Sequence, residues 1–172
     1  MADPLDLRRA KRIVIVSRSN GLSGASIGAI AVTLSIVARD LPSILASLGI
    51  CAAASLELAG SFRAARHEPD AARFLVASQA VSLLSVLALL IRCTIVLNAA
   101  MLLASMPVRW RESILIIYSA PGEAEAAVRV GMRFTYGLLA VVAAIFEIGM
   151  ATFYASSRGL FLRLAAAEMN RP

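Results

Sequence analysis

Residues 20–37 read NGLSGASIGAIAVTLSIV and contain no charged side chain. Small residues recur along this stretch in steps of three and four positions: Gly21, Gly24, Gly28, Ala31 and Ser35. This spacing places them on one face of an α-helix. An uncharged stretch of this length suits a membrane span, and in lipid a face of small residues lets a second helix approach closely. We therefore predict a spanning helix that packs tightly against another helix.

The composition of the whole chain also indicates a membrane protein. Of the 172 residues 59% are hydrophobic, and the mean hydropathy is +0.78, whereas soluble domains are about 45–50% apolar. Apolar stretches long enough to cross a bilayer lie at residues 20–37, 41–60, 72–91 and 134–154. Little sequence is left for a soluble domain. The prediction is one all-α integral membrane domain, residues 1–172, built as a bundle of four transmembrane helices.

The segments before span 1 and after span 4 set the expected orientation. Residues 5–18 are predicted to form an amphipathic helix in the headgroup layer, because their cationic side chains cluster on one side. By the positive-inside rule these charges place the N-terminus in the cytoplasm. Arg158 and Arg163 follow span 4 and assign the tail, residues 155–172, to the same side. We expect both ends at the cytoplasmic face of a plasma or bacterial inner membrane.

The stretch after span 3 has more than one interpretation. Residues 93–108 contain Asn98 as their only strongly polar side chain, and they fit a helix that extends span 3 outward to residue 106. An interfacial lid and a re-entrant piece are the alternatives. Residues 93–133 as a whole are predicted to form an outer segment. Its arginines oppose the positive-inside rule, but the first basic cluster of a chain usually decides orientation.

Two glutamates and an arginine are candidate functional residues within the spans. Glu147 lies mid-span, where an ionisable side chain costs at least ~2.5–3.5 kcal/mol and normally faces protein or water. Three interpretations are open. Glu147 is protonated and holds a neighbouring helix through a hydrogen bond, it pairs with Arg92, or it is part of a proton or cation path. Arg92 sits at the outer rim of span 3. Glu57 lies near the inner end of span 2, toward Arg63 and Arg66, and is expected to form a structural salt bridge or to be exposed at the interface rather than to act in catalysis.

Span 3 carries a row of polar side chains, and span 4 carries a second face of small residues. The polar row is Ser78, Gln79, Ser82 and Ser85. It lines a polar pore or, the interpretation we favour, bonds to backbone carbonyls and neighbouring helices. The small residues of span 4 are Gly137, Ala140 and Ala144. Together with the face of span 1 they exceed what one bundle needs, which predicts a homo-oligomer.

Several function classes are disfavoured. The arginines lie at span ends rather than on one basic face, which argues against a nucleic-acid partner. The two cysteines, Cys51 and Cys93, do not form a C-x-x-C motif, and His67 is the single histidine. No nucleotide-binding, zinc-protease or hydrolase motif is present. We therefore predict no enzyme activity, no catalytic residue, no metal site and no cofactor.

The leading functional hypothesis is a small homo-oligomeric ion or proton channel that uses Glu147 and the serines of span 3. The alternative is a structural or accessory subunit that packs against a larger membrane complex. The surroundings of Glu147 distinguish the two: a water-filled axis favours the channel and a dry helix contact favours the accessory subunit. A lipid-accessible cleft holding Glu57, His67 and Glu68 would instead indicate an enzyme.

Overall fold

The computed structural model describes residues 3–96, 99–118 and 120–169. Within these ranges the helices are α1 Pro4–Val37, α2 Leu41–Ala65, α3 Ala71–Val96, α4 Ala99–Ser105, α5 Val108–Ile117, α6 Pro121–Ser156 and α7 Arg158–Met169. The same residues contain no strand. Among them, stretches long and apolar enough to cross a membrane are Pro4–Val37, Leu41–Ala65, Ala71–Ile95 and Gly122–Met169. The predicted all-α membrane fold with four spanning helices is confirmed.

Helices α1 and α2 form an antiparallel pair joined by a three-residue turn, in which Arg39 adopts a left-handed φ of 53°. The small-residue face of α1 is buried against α2. A Cβ on Gly28 would lie 2.6 Å from Cys51 Sγ, and one on Gly21 would lie 3.0 Å from Leu58 Cγ. The first distance is shorter than Cβ contacts in proteins, and the second would require the Leu58 side chain to move, so glycine lets the two backbones approach closely. The tight contact lies within one chain.

Packing continues in chain order from α2 to α3 and from α3 to α6. Gly60 of α2 lies against Leu75 of α3, and Gly49 lies against Ser85. Helices α1 and α6 do not close the bundle along its whole length, because a groove with a volume of about 380 Å³ runs between them.

The last helix, α7, folds back across the end of the bundle where Arg9, Arg12 and Arg163 lie. We call this the basic end. It buries Leu160, Phe161 and Leu164 in an apolar cluster with Ala10, Ile13, Ala64, Ala71, Ala72, Leu75 and Tyr154. Arg163 of α7 binds Asp6 of α1 at 3.0 Å, and Glu168 binds His67 at 2.7 Å. Packing and charge therefore hold α7 against α1 and the α2–α3 turn.

This arrangement changes the expectation for residues 5–18. They do not form a separate interfacial helix, because α1 runs without a break from Pro4 to Val37. The apolar side of the segment, with Ala10 and Ile13, is buried against protein in the cluster under α7. Its cationic side chains lie on the exposed side.

At the opposite end, helices α4 and α5 connect α3 to α6. The predicted extension of span 3 is helical again from Ala99 to Ser105, and residues 97 and 98 lie outside the described residues. Helix α4 packs on α6, while Trp110 and Ile116 of α5 are exposed. Helix α6 begins at Pro121, so the second part of the predicted outer segment and span 4 form one helix of 36 residues.

Candidate functional site, a buried carboxylate cluster

Glu57 of α2 is buried in the bundle, with 4% of its surface exposed. Its Oε1 accepts hydrogen bonds from Asn20 Nδ2 at 2.9 Å and from Tyr154 Oη at 2.7 Å. Its Oε2 accepts a second bond from Asn20 Nδ2 at 2.8 Å. Three helices therefore converge on this carboxylate, and each partner is a neutral donor.

The expected salt bridge from Glu57 toward Arg63 and Arg66 is wrong. Arg63 binds Asp70 at 3.2 Å and stacks on the ring of Phe74 at 4.1 Å. The reason is helical geometry: a separation of six residues turns a side chain by roughly 240° around the axis, away from the face that holds Glu57. Arg66 is directed to the turn, where its Nη1 lies 3.9 Å from a carboxylate oxygen of Glu68.

Glu147 of α6 faces α3 and is 8% exposed. Ser82 Oγ donates to Glu147 Oε1 at 2.6 Å. The other oxygen, Oε2, is buried and has no hydrogen-bond partner among the described residues. A buried acceptor without a donor costs about 1–3 kcal/mol, and more when it is charged. A proton on this oxygen would remove the charge and turn the acceptor into a donor, whereas a bound cation would ligate the oxygen directly.

Gln79 of α3 presents a second orphan acceptor in the same interior. Its side chain is 1% exposed, and its Nε2 donates to Ser78 Oγ at 3.2 Å. Its Oε1 has no partner within the described part of the chain. Helix α3 therefore presents a buried amide oxygen without a hydrogen-bond donor among the described residues, and α6 presents a carboxylate oxygen in the same state.

The alternative pairing of Glu147 with Arg92 is wrong. Arg92 binds Asp40 in the α1–α2 turn, with Nη2 to Oδ1 at 3.0 Å and Nε to both oxygens at 3.2 Å. Arg92 lies ten residues beyond Ser82 on α3, about 15 Å along the axis, so it reaches the turn and not Glu147. The Arg92 guanidinium, and after it the Ser43 hydroxyl, holds the pKa of Asp40 below its usual value.

The polar row of α3 is divided between two neighbouring helices. Ser78 donates to the carbonyl of Leu75 and Ser85 to that of Val81, each at 2.7 Å. Ser85 abuts Gly49 of α2, whereas Ser82 reaches α6. Within the described residues these side chains are buried or half-buried between helices, as the interpretation in terms of helix packing expects.

The small residues of span 4 do not form one close-packed face. Gly137 is exposed, and none of the described atoms of another helix comes within 4 Å of the position that a Cβ would take there. Ala140 and Ala144 are half-buried on the stripe that leads to Glu147. Ala31 on α1 is half-buried as well, next to the glycines that contact α2.

Glu57 and Glu147 belong to one cluster, because Glu147 and Tyr154 lie seven residues apart on the same face of α6, about 10 Å along the axis. We call this set the carboxylate cluster: Asn20, Glu57, Ser78, Gln79, Ser82, Glu147 and Tyr154. All four spanning helices contribute to it. Among the described residues, neither carboxylate forms a salt bridge with Arg, Lys or His.

Asn20 and Tyr154 were not singled out from the sequence. Each is a polar-tipped residue in a mostly apolar segment, which is the signal that could have found them. Asn20 also lines the groove between α1 and α6, together with Ile15, Val16, Ser19, Ser23, Phe146 and Met150. The cluster thus reaches the surface of the bundle at Asn20.

No protein-family model, no curated protein and no solved structure matches this chain. The fold and the site therefore define its class directly. It is an all-α protein with four helices apolar enough to span a membrane within the described residues. Its core holds two carboxylates that are bound by neutral side chains. The residues that would indicate a lipid enzyme are separated, since His67 pairs with Glu168 at the basic end and not with Glu57.

Proposed function

We propose that this protein moves protons or small cations through its four-helix core, with Glu57 and Glu147 as the exchanging groups. The observation that supports this most directly is the carboxylate cluster, which buries two acidic side chains without a basic partner among the described residues. Ionisable groups at membrane depth are expensive, and they are by default candidates for ion or proton pathways.

The two carboxylates are equipped for different states. Glu57 accepts three hydrogen bonds, from the amide of Asn20 and the hydroxyl of Tyr154, which is the environment of an ionised carboxylate. Glu147 accepts one and has an unpartnered oxygen, which suits a protonated acid or a cation ligand. One carboxylate of the cluster has hydrogen-bond donors on both oxygens, and the other has an oxygen without a partner among the described residues. Such a cluster can take up and release a positive charge.

The exchanging groups lie inside a single chain, so the proposed activity does not require a homo-oligomer. The sequence argument for an oligomer rested on the small-residue faces of span 1 and span 4. The face of α1 is occupied by α2, while Gly137 of α6 is exposed. In this proposal the groove at Asn20 connects the cluster to the surface of the bundle. Ser82 provides the hydroxyl that donates to Glu147, and Gln79 precedes it by three positions on α3.

Ion flux in proteoliposomes tests the proposal. Proton, Na⁺ and K⁺ movement would be measured at both voltage signs for the wild type, Glu57→Gln and Glu147→Gln at matched incorporation. We expect proton or cation flux in the wild type that falls by at least about tenfold in Glu147→Gln, the size of effect expected when a group needed for charge transfer is removed. Glu112→Gln, on the exposed side of α5, is the matched control and should retain flux. A folded wild type that conducts none of these ions contradicts the proposal.

A second candidate is a structural or accessory membrane subunit. The direct 2.6 Å bond between Ser82 and Glu147 favours it, because a dry contact between packed helices can serve as a clasp. In this case Glu147 is protonated and binds α3 to α6, and the exposed apolar surface of α5 and α6 meets lipid or a membrane-protein partner. Unchanged behaviour of Glu147→Gln in flux, combined with lost stability, would select this candidate.

A further inference from the structure

A cleft with a volume of about 490 Å³ opens at the basic end, between the start of α1 and the junction of α6 and α7. Its rim carries three guanidinium groups, those of Arg9, Arg12 and Arg163. Its floor is apolar and is formed by Ile13, Phe153 and Leu160. The cleft contains no residue of the carboxylate cluster. The groove beyond it is lined by Asn20, so a ligand that fills both cavities would also occupy the proposed route from the cluster to the surface.

The charges of the cleft are only partly compensated. Arg163 donates from Nε and Nη2 to the two oxygens of Asp6, at 3.0 and 3.1 Å. Arg9 and Arg12 are exposed and form no salt bridge with any described residue. Two guanidinium groups one helical turn apart therefore point to a small anion with several oxygens, since arginine binds phosphate through paired N–H donors.

The cleft and the groove between α1 and α6 follow one another along the same pair of helices. Both cavities are bordered by the same two helices, with Ile13 and Phe153 in the cleft and Val16 and Met150 further along the groove. From Ile13 in the cleft to Ser23 at the far end of the groove, the two cavities together follow α1 for about 15 Å, which is the depth of one leaflet of the hydrocarbon core. The lining changes along this path from cationic to apolar side chains. This order complements an anionic phospholipid, whose charged headgroup is followed by apolar acyl chains.

We propose that this site binds one anionic glycerophospholipid. Its phosphate lies between Arg9 and Arg12, and one acyl chain follows the groove past Val16 toward Ser23. The arginines alone would accept a free phosphate as well. The apolar continuation, with the exposed side chains of Ile15 and Phe146, favours the lipid.

The test measures lipid binding to the full chain in uncharged detergent by native mass spectrometry, with phosphatidylglycerol, phosphatidylcholine and inorganic phosphate as probes. The charge variant is Arg9→Gln with Arg12→Gln. Its matched control is Arg8→Gln with Lys11→Gln, which removes the same charge from the same helix outside the cleft. A third variant, Ser19→Phe, fills the groove without altering charge.

We expect one phosphatidylglycerol per chain, bound in preference to phosphatidylcholine. Affinity should fall about 30-fold in the charge variant, as expected for two basic residues at a membrane surface. The affinity of the control variant should stay within about twofold of the wild type, because Arg8 and Lys11 lie outside the cleft and contribute only screened, non-specific attraction. Ser19→Phe should also weaken binding. The proposal would be overturned if the charge variant and the control lost lipid affinity equally, or if Ser19→Phe had no effect. Displacement of the lipid by equimolar inorganic phosphate would overturn it as well.

Discussion

Tyr154 of α6 donates its hydroxyl to Glu57 of α2 at 2.7 Å, across 97 positions of sequence. Both side chains are buried, and the same carboxylate accepts two bonds from Asn20 of α1. This contact ties the last spanning helix to the first pair. It also makes the charge state of Glu57 measurable through the energy of one hydrogen bond.

Tyr154→Phe is expected to lower the free energy of unfolding by about 1.5–3 kcal/mol if the hydroxyl donates to an ionised carboxylate. In a Glu57→Gln background the same substitution should cost only about 0.5–1.5 kcal/mol, because the lost bond is then neutral. Thermal unfolding in detergent gives both values, and Tyr118→Phe at the end of α5 is the control. Equal costs in the two backgrounds would show that Glu57 is protonated.

Glu147→Gln is expected to leave the stability unchanged or to raise it. The amide keeps the acceptor for Ser82 Oγ and replaces the unpartnered acceptor Oε2 with an N–H donor. Removal of an unsatisfied buried acceptor recovers part of its penalty of about 1–3 kcal/mol. The measurement is chemical or thermal unfolding in detergent. A loss of more than about 2 kcal/mol would mean that the carboxyl makes a contact that the amide cannot replace.

The helices of this fold could be predicted because their signals are local. The spacing of Gly21, Gly24 and Gly28 and the lengths of the apolar stretches lie within single helices, so the chain itself displays them. A face of small residues does not identify the helix that it meets. The three-residue turn between α1 and α2 makes α2 the partner, and the expectation of a subunit contact for that face loses its basis.

The site was predicted less completely than the fold, because its contacts join distant positions. Glu57 and Glu147 stood out as acidic residues in apolar segments, but Asn20 lies 37 positions from Glu57. The rotation of each helix about its axis decides such pairs, and sequence spacing fixes faces within one helix only. For the same reason Arg92 was considered with Glu147, whereas it lies at the level of Asp40 in the turn.

Gly28→Ala is expected to destabilise the α1–α2 pair by about 1–3 kcal/mol, the usual cost of overpacking. The added Cβ would lie 2.6 Å from Cys51 Sγ and 3.2 Å from the Cys51 backbone nitrogen, so the side chain cannot simply move aside. Gly149→Ala is the matched control in α6, where the added Cβ meets no described atom within 4 Å. In the control the gain in helix propensity should leave stability equal or up to about 1 kcal/mol higher. Similar effects at both positions would mean that α1 and α2 do not pack closely.

The Asp40–Arg92 pair should make stability depend on pH in the acid range. Arg92 lowers the pKa of Asp40 below its ordinary value of 3.8. The unfolded chain therefore takes up this proton first, and the contribution of the pair is complete above about pH 5 and is lost as the pH falls through the pKa of the folded state. We expect Arg92→Gln to unfold at a lower temperature than the wild type at pH 6. Below about pH 4 the difference should shrink toward zero as protonated Asp40 loses its attraction to the guanidinium.

Arg109→Gln, an exposed arginine of α5, is the control and should show no pH-dependent difference. A gap between wild type and Arg92→Gln that stays constant from pH 6 to pH 3 would show that Arg92 stabilises the turn by packing and not through the charge of Asp40.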